Sequence, residues 1–448
     1  MIAEPLVPAI ETAPSFARSR AHQRRAHHLI PGGCHTYAKG DDQMPEAMPV
    51  VIARGEGCRV WDLDGNSFIE YGMGLRAVTL GHAHPRVAEA AARALRDGVN
   101  FTRPAAVELE TAEAFLAHVR TAEMVKFCKD GSSATTAAVT LARAATGRDL
   151  VALCADHPFF AQHDWFIGTT PMDAGIPEAV KALTVRFRSG DAAALEVLFA
   201  LCPGRIAAVV LEPARGAEDP TDYLRAVRAL CDREGAVLVF DEMITGFRWH
   251  AGGAQALYGV TPDLSAFGKA LANGFSVSAL AGKRDLMRLG GLDHDQPRVF
   301  LLSATHGAET HALAAAAETM CIYAEEDVIG QLHERGARLR AGVESEVAAA
   351  GLEGFVEVLG RDCNLVYVTR DADGKPSQAF RTLLLQELTK RGVLAPSLVV
   401  STAHDDDAMD RTVDAFAAAL AVYRAALADG IEHYLHGRSV KPVFRRFC

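Results

Sequence analysis

The chain has 448 residues, 49% of them apolar and 23% charged, enough for two domains or one large domain with a smaller companion. A formal net charge of −10 excludes a general nucleic-acid binder, which needs a basic face to neutralise phosphates. No apolar run reaches the roughly 18 residues of a membrane span, and MIAEPLVPAIETAPS has acids and prolines where a secretion signal has a basic start and an apolar stretch.

Residues 14–30, PSFARSRAHQRRAHHLI, are basic and helix-forming up to the breaker Pro31-Gly32-Gly33. CRVWDLDGNSFIEY alternates apolar and polar residues on either side of Asp64-Gly65-Asn66, which predicts a β-hairpin. HPRVAEAAARALRDG follows as an amphipathic helix closed by Gly98. Between residues 120 and 285 the rhythm becomes strand, helix, strand. MVKFC precedes a glycine and a helix over 134–146, and LVALC comes next. IAAVVLEP precedes a helix over 221–233, which leads to GAVLVFDE. Short β-branched runs without alternation belong to strands buried on both faces, so a mostly parallel sheet covered by helices is predicted. After residue 310, THALAAAAETMCIYAEE reads as a helix. FVEVLG, CNLVYVTR and VLAPSLVVS then read as strands between helices at 376–391 and 406–428. The expected organisation is a large domain over 71–310 and a smaller α+β domain over 311–448. Residues 1–70 should join the smaller one, because so short a hairpin cannot bury an apolar face alone. The nine cysteines are scattered and never form C-x-x-C, which points to reduced thiols in a cytoplasmic enzyme rather than a disulfide framework or zinc site.

Three ionisable residues end successive strands of the parallel region. Glu212 ends IAAVVL, Asp241 ends AVLVF and Lys269 follows LSAF, each about thirty residues after the last, one strand-helix repeat. Such repeats align strand ends on one edge of the sheet, where folds of this kind bind ligands. Gathered charges there are costly unless a ligand or partner uses them. Gly131-Ser132-Ser133 opens a strong helix, whose free N–H groups and small hydroxyls suit a phosphate, although a plain serine N-cap explains the same residues. A phosphate site, a lysine and a carboxylate together match pyridoxal 5'-phosphate. That cofactor needs its phosphate anchored, its aldehyde held by a lysine and its ring nitrogen kept protonated by a carboxylate. Lys269 and Asp241 fit the last two needs.

Residues 238–287, LVFDEMITGFRWHAGGAQALYGVTPDLSAFGKALANGFSVSALAGKRDLM, resemble the core signature of class III aminotransferases, nearest the glutamate-1-semialdehyde 2,1-aminomutase branch. IPGG at 30–33, VWDLDGNSFIEY at 60–71, GHAHPRV at 81–87 and SATHGAETHALAAA at 303–316 extend the resemblance over nearly the whole chain. It implies the type I fold of pyridoxal-phosphate enzymes and a homodimer with active sites at the subunit interface. It also implies that Lys269 is the cofactor lysine, that Asp241 is the ring-nitrogen carboxylate, and that Gly131 and Ser132 cradle the phosphate. Thr305 matches the phosphate contact supplied by the neighbouring subunit. The ring-stacking residue falls in CADHPFFAQHDWF, where His157, Phe159 and Phe160 compete for the role.

Three departures from the mutase branch bear on the reaction. Lys39 stands where mutases carry a substrate-gripping arginine, and lysine lacks the bidentate fork. Leu75-Arg76 replaces Trp-Gly and adds a cation at the expected pocket mouth. APSLVVSTAH, 395–404, is short and has no acid where mutases carry a Glu-containing loop. The resulting expectation is an aminotransferase acting on an amino donor and a small anionic or sugar-related carbonyl acceptor by a ping-pong Schiff-base mechanism. Lys39 and Arg76 are its candidate anion contacts, though each could equally serve a surface salt bridge. The aminomutase is the alternative, and a non-catalytic binding protein of the same fold is an alternative of another class. A metal hydrolase is disfavoured, since HGAETH and GHAHP miss the H-E-x-x-H spacing. A cofactor-free lyase using Lys269 leaves Asp241 and the phosphate site unexplained.

Overall fold

The computed structural model describes residues 14–156 and 159–447. Strands β1 (Ile52–Glu56), β2 (Arg59–Asp62) and β3 (Ser67–Glu70) form an antiparallel run, so the expected hairpin is present. Asp62 makes its turn, one carboxylate oxygen accepting from the N–H groups of Asp64 (3.0 Å) and Asn66 (2.8 Å).

The large sheet contains β4 (Met124–Cys128), β5 (Leu150–Cys154), β6 (Thr184–Phe187), β7 (Ile206–Leu211), β8 (Val237–Asp241), β9 (Leu264–Phe267) and β10 (Ser278–Gly282). Their order is β4-β10-β9-β8-β7-β5-β6. Every residue of β5, β7, β8, β9 and β10 is buried, as their unbroken apolar runs require. Only β10 runs against its neighbours. The 268–277 connection is too short for the crossover that a parallel partner needs. Pairing of Leu211 with Phe240 and of Asp241 with Ala266 sets the ends of β7, β8 and β9 along one edge.

The helix Gly131–Thr146 lies against this sheet and buries Ala134, Ala138, Leu141 and Ala142 on one face, the spacing of an amphipathic helix. Alanines let its backbone sit close to the strands. Leu141 is fully buried, so its truncation to alanine should cost about 2–5 kcal/mol. The helix begins three residues earlier than its apolar pattern, because Asp130 caps it. Gly147, at φ 65°, ends it in the left-handed conformation.

The C-terminal segment contributes the hairpin of β11 (Val356–Arg361) and β12 (Asn364–Thr369), and helices Val328–Ala349, Gln378–Lys390 and Asp406–Asp429. Of VLAPSLVVS only β13 (Val393–Leu394) pairs as a strand, because Pro396 has no N–H to continue a ladder. β13 joins β3 in parallel, so the N-terminal hairpin and the C-terminal segment share one four-stranded sheet. The chain ends also meet at residues 41–46. Arg445 pairs with Asp42 at 2.6 Å, and the Arg438 N–H donates to Glu46 at 2.8 Å. No helix among the described residues is long and apolar enough to cross a membrane.

Candidate active site

Glu212, Asp241 and Lys269 converge at the edge where β7, β8 and β9 end. Asp241 is buried, and its Oδ1 accepts from the Met243 N–H at 2.9 Å. Burial pushes its carboxyl up to about 7; Glu212 and Glu242 add to the rise, while Lys269 and the Met243 N–H oppose it. Burial also raises Glu212, against the pull of Arg215, Lys269 and Arg76. Arg215 Nε lies 3.3 Å from its carboxylate. Lys269 is held in the left-handed region at φ 46°, a costly conformation for a side-chain-bearing residue and one found at functional sites. Burial lowers its ammonium pKa; Asp241 and Glu212 oppose this, and Arg76 and Arg248 reinforce it.

The start of helix Gly131–Thr146 closes on the same place. A Cβ on Gly131 would lie 2.8 Å from Met243 Sδ, and one on Gly268 would lie 2.7 Å from the same sulfur. Helix start, Asp241 turn and Lys269 loop therefore pack around Met243, which a side chain at either glycine would have to displace. Ser132 is buried, and its Oγ accepts from the Gln162 N–H at 3.0 Å, leaving its own proton to give. Ser133 serves the helix start: its N–H (2.8 Å) and Oγ (3.1 Å) both donate to Asp130, which is the N-cap. The phosphate-facing candidates in this turn are thus Gly131 and Ser132.

Asn273 locks the lysine loop to the segment before Gly81. Its Oδ1 accepts from the N–H groups of Thr79 and Leu80, and its Nδ2 donates to the Gly81 carbonyl, each at 3.0 Å. Met73, Gly74, Leu75 and Arg76 form a single left-handed turn, with φ of 42°, 59°, 58° and 72°. At about 1–2 kcal/mol for each of the three non-glycine residues, the turn costs about 3–6 kcal/mol. Arg248, completely buried, offsets that cost. Its Nη1 donates to the carbonyls of Cys363 (3.2 Å) and Val400 (3.0 Å), and its Nη2 to those of Arg76 (3.2 Å) and Val78 (3.0 Å). Burial brings its guanidinium down to about 10. Arg76 Nε donates to Asn364 Oδ1 at 2.9 Å. Burial lowers the Arg76 pKa, with Glu212 opposing and Arg381 reinforcing.

The remaining candidates separate. Lys39 is exposed on the turn Tyr37–Lys39 and forms no ion pair with a described residue. Phe160 is buried and packs against Phe166 with centroids 5.6 Å apart. Phe159 is exposed and stacks on Phe444 of the C-terminal tail at 6.4 Å. His157 lies outside the described residues. Thr305 is exposed, its carbonyl accepting from Asn100 at 3.0 Å, beside a cleft lined by Phe101, Arg103 and Ala308 rather than by Lys269.

Sequence reasoning missed Asn273, Arg248 and Asn364. The Asn273-Gly274 pair is a turn signal that could have marked the first. Arg248 could have been found as a charge inside the aromatic run Phe247–Trp249. Asn364 carries no signal of its own, since it works across a contact distant in sequence.

The donor set suits pyridoxal phosphate. A helix start with a buried serine faces an anion, an elevated carboxyl suits a cationic ring nitrogen, and a lysine of lowered pKa suits an aldehyde. Residues 37–416 match the family described as aminotransferase class-III. The glutamate-1-semialdehyde 2,1-aminomutase of Chlorobium luteolum is 32% identical over 435 residues, covering 90% of this chain and 97% of that protein. The FumI protein of Sphingopyxis sp. MTA144, solved in its PLP internal aldimine form, gives a TM-score of 0.83 at 30% identity, covering 92% of this chain and 98% of its own. An omega-transaminase from Sphaerobacter thermophilus gives 0.80 at 29% identity, covering 91% and 98%. The chain belongs to the class III aminotransferases, with the type I fold and pyridoxal 5'-phosphate as cofactor, and is a transaminase or aminomutase.

Proposed function

We propose that this enzyme is an aminotransferase that passes an amino group from an amino donor to a small carbonyl acceptor bearing an anionic group, in two half-reactions at one site. The observation that carries this reading is the convergence of Lys269, Asp241 and Glu212 at one sheet edge, with the turn that carries Arg76 packed against the turn Lys269–Ala272. When bound, the cofactor stores the amino group between half-reactions and withdraws electrons from the substrate carbon. Asp241 would hold the proton on the ring nitrogen. Ser132 Oγ and the first N–H groups of helix Gly131–Thr146 would bind the phosphate. Lys269 Nζ would take the proton from the substrate carbon and return it one position along, a task for an amine whose pKa burial has lowered. Arg76 would hold the substrate's anionic group.

Two observations favour transfer between molecules over rearrangement within one. Residues 395–404 contain no acid, and Ala395 and Leu398–Ser401 are packed in the interior. Lys39 stands where the resemblance to the mutase branch implies a substrate-gripping arginine, and it is exposed and lacks the bidentate fork. The aminomutase remains the second reading, favoured by the 32% identity to the Chlorobium luteolum protein. A homodimer is supported by exposed Phe101, Leu109, Leu292 and Phe300, with Thr305 beside the cleft at Phe101.

Borohydride reduction should fix the cofactor to wild-type chain and not to Lys269→Ala; label retained by the variant would defeat the assignment. Spectral conversion to the amine form by a donor, reversed by an aldehyde or ketone, tests transfer. Turnover of glutamate-1-semialdehyde alone, with its amino group kept in the product, would select the mutase.

A further inference from the structure

We propose that Arg76 reads a carboxylate on the amino donor through its Nη1/Nη2 edge, and that Asn364 is the residue that positions it. The proposal rests on the aminotransferase reading and adds to it the donor's chemical class, an amino acid rather than a simple amine.

The first observation is how the guanidinium is held. Asn364 Oδ1 occupies Nε at 2.9 Å, which fixes the plane of the group. Neither terminal nitrogen has a hydrogen-bond partner among the described residues, and neither is a fully buried orphan. The fork thus keeps donors to spare in a fixed plane, and a planar carboxylate accepts two parallel bonds from such an edge.

The second observation is where the fork is held. The turn Met73–Arg76 packs against the turn Lys269–Ala272, and Glu212 acts electrostatically on both Arg76 and Lys269, so a carboxylate bound at Arg76 would sit close to the amino group being transferred. Glu212 already has Arg215 at 3.3 Å, which leaves Arg76 available to a ligand. Arg381 faces Arg76 as a second cation but is committed elsewhere. Its Nη2 donates to the Pro396 carbonyl at 2.5 Å, and its guanidinium lies 4.9 Å above the Tyr367 ring. It adds positive potential without offering a second fork, which favours one carboxylate over a phosphate or a dicarboxylate pair.

The third observation is that the backbone beneath Arg76 is built for this placement. The left-handed turn of residues 73–76 is disfavoured for side-chain-bearing residues, and Arg248 secures it by taking the carbonyls of Arg76 and Val78. A surface salt bridge needs no such construction.

The test uses the holoenzyme with L-alanine and β-alanine against ethylamine, following conversion of the cofactor to its amine form, and calorimetry with propanoate, a carboxylate that cannot react. Wild type should favour the amino acids over ethylamine by about 100-fold or more in kcat/KM. Arg76→Gln should lose about 100-fold with the amino acids, lose far less with ethylamine, and bind propanoate correspondingly weakly. Arg76→Lys, which keeps the charge and loses the fork, should recover only part of that loss. Asn364→Ala should raise KM for alanine about 10-fold, with kcat nearly unchanged and propanoate weakened in step; a purely structural residue would lower kcat or the melting temperature instead. Equal rates with alanine and ethylamine in the wild type, or equal losses with both in Arg76→Gln, would overturn the carboxylate assignment and leave transamination standing. Failure of every donor to produce the amine form would overturn the aminotransferase reading itself.

Discussion

Asp241→Asn should make the cofactor-free protein more stable at pH 8 while removing most of its turnover. In the folded chain burial, with Glu212 and Glu242, raises this carboxyl from 3.8 to about 7. A carboxyl raised on folding contributes stability that is complete below its unfolded value and is lost as pH climbs through its folded value. The gap from 3.8 to about 7, at roughly 1.4 kcal/mol per pH unit, comes to about 4 kcal/mol at pH 8. Asparagine has nearly the same shape and cannot ionise, so it escapes that cost. It also removes an anion that supports Lys269, which leaves an expected gain of about 2–4 kcal/mol. Denaturant midpoints of both cofactor-free proteins, from about pH 5 to pH 8, read the difference, which should widen with pH. Adding cofactor should close it, because the wild-type carboxylate then gains a cationic partner that an amide cannot match. A variant less stable than wild type at pH 8, or a difference flat across the range, would refute the reasoning.

Ser132→Ala should weaken cofactor binding about 10-fold by equilibrium dialysis, since a buried hydroxyl facing an anion is lost. Ser133→Ala should leave that affinity within about 2-fold and cost about 1 kcal/mol of stability, because its hydroxyl serves the Asp130 cap. Gly268→Ala should lower stability by about 1–3 kcal/mol in thermal melts, its Cβ meeting Ser278 Oγ at 2.6 Å and Met243 Sδ at 2.7 Å. His404 is buried beneath Tyr71, bonded through Nδ1 to Ser401, and brought down to about 4 by burial. A histidine lowered on folding gives stability present above about pH 6.5 and lost as pH falls towards 4, here about 3 kcal/mol. His404→Asn should flatten that acid limb in urea titrations.

The parallel sheet was legible because β5, β7, β8 and β9 are buried on both faces and therefore carry no alternation to confuse them with surface strands. Lys269, Asp241 and Glu212 were legible for a related reason: charges that end apolar runs at regular spacing have few structural uses. The limits of VLAPSLVVS were not, because a β-branched run reads as a strand until a proline lacking its N–H interrupts the ladder. Ser133 reads two ways for a local reason, since a serine at a helix start and an aspartate just before it compete for the same N–H. The ring-stacking residue was not legible, because an aromatic beside a site looks the same in sequence whether its ring faces a ligand or packs, like Phe160, on Phe166. Arg248 and Asn364 were invisible because their partners lie on remote segments, and nothing local distinguishes a clamp from a surface charge.

The two halves of the site are tied together by adjacent residues at the end of β8. Asp241 faces Lys269, while Glu242, fully buried, turns the other way and accepts from Thr245 Oγ1 and from the N–H groups of Ala254 (2.7 Å) and Gln255 (2.9 Å). Those bonds shape residues 245–255, which carry Arg248, and Arg248 in turn holds the carbonyl of Arg76. Burial pushes Glu242 up to about 7, so the fold bears an ionisation cost at a residue that need not touch any ligand. An apolar residue there would spare that cost, but it could not hold two backbone N–H groups inside the protein, and an unpaired buried N–H costs about 1–3 kcal/mol each. The acid is therefore retained for its acceptor oxygens. Its consequence is geometric: the element that places Asp241 also fixes Arg76, so neither can shift without moving the other.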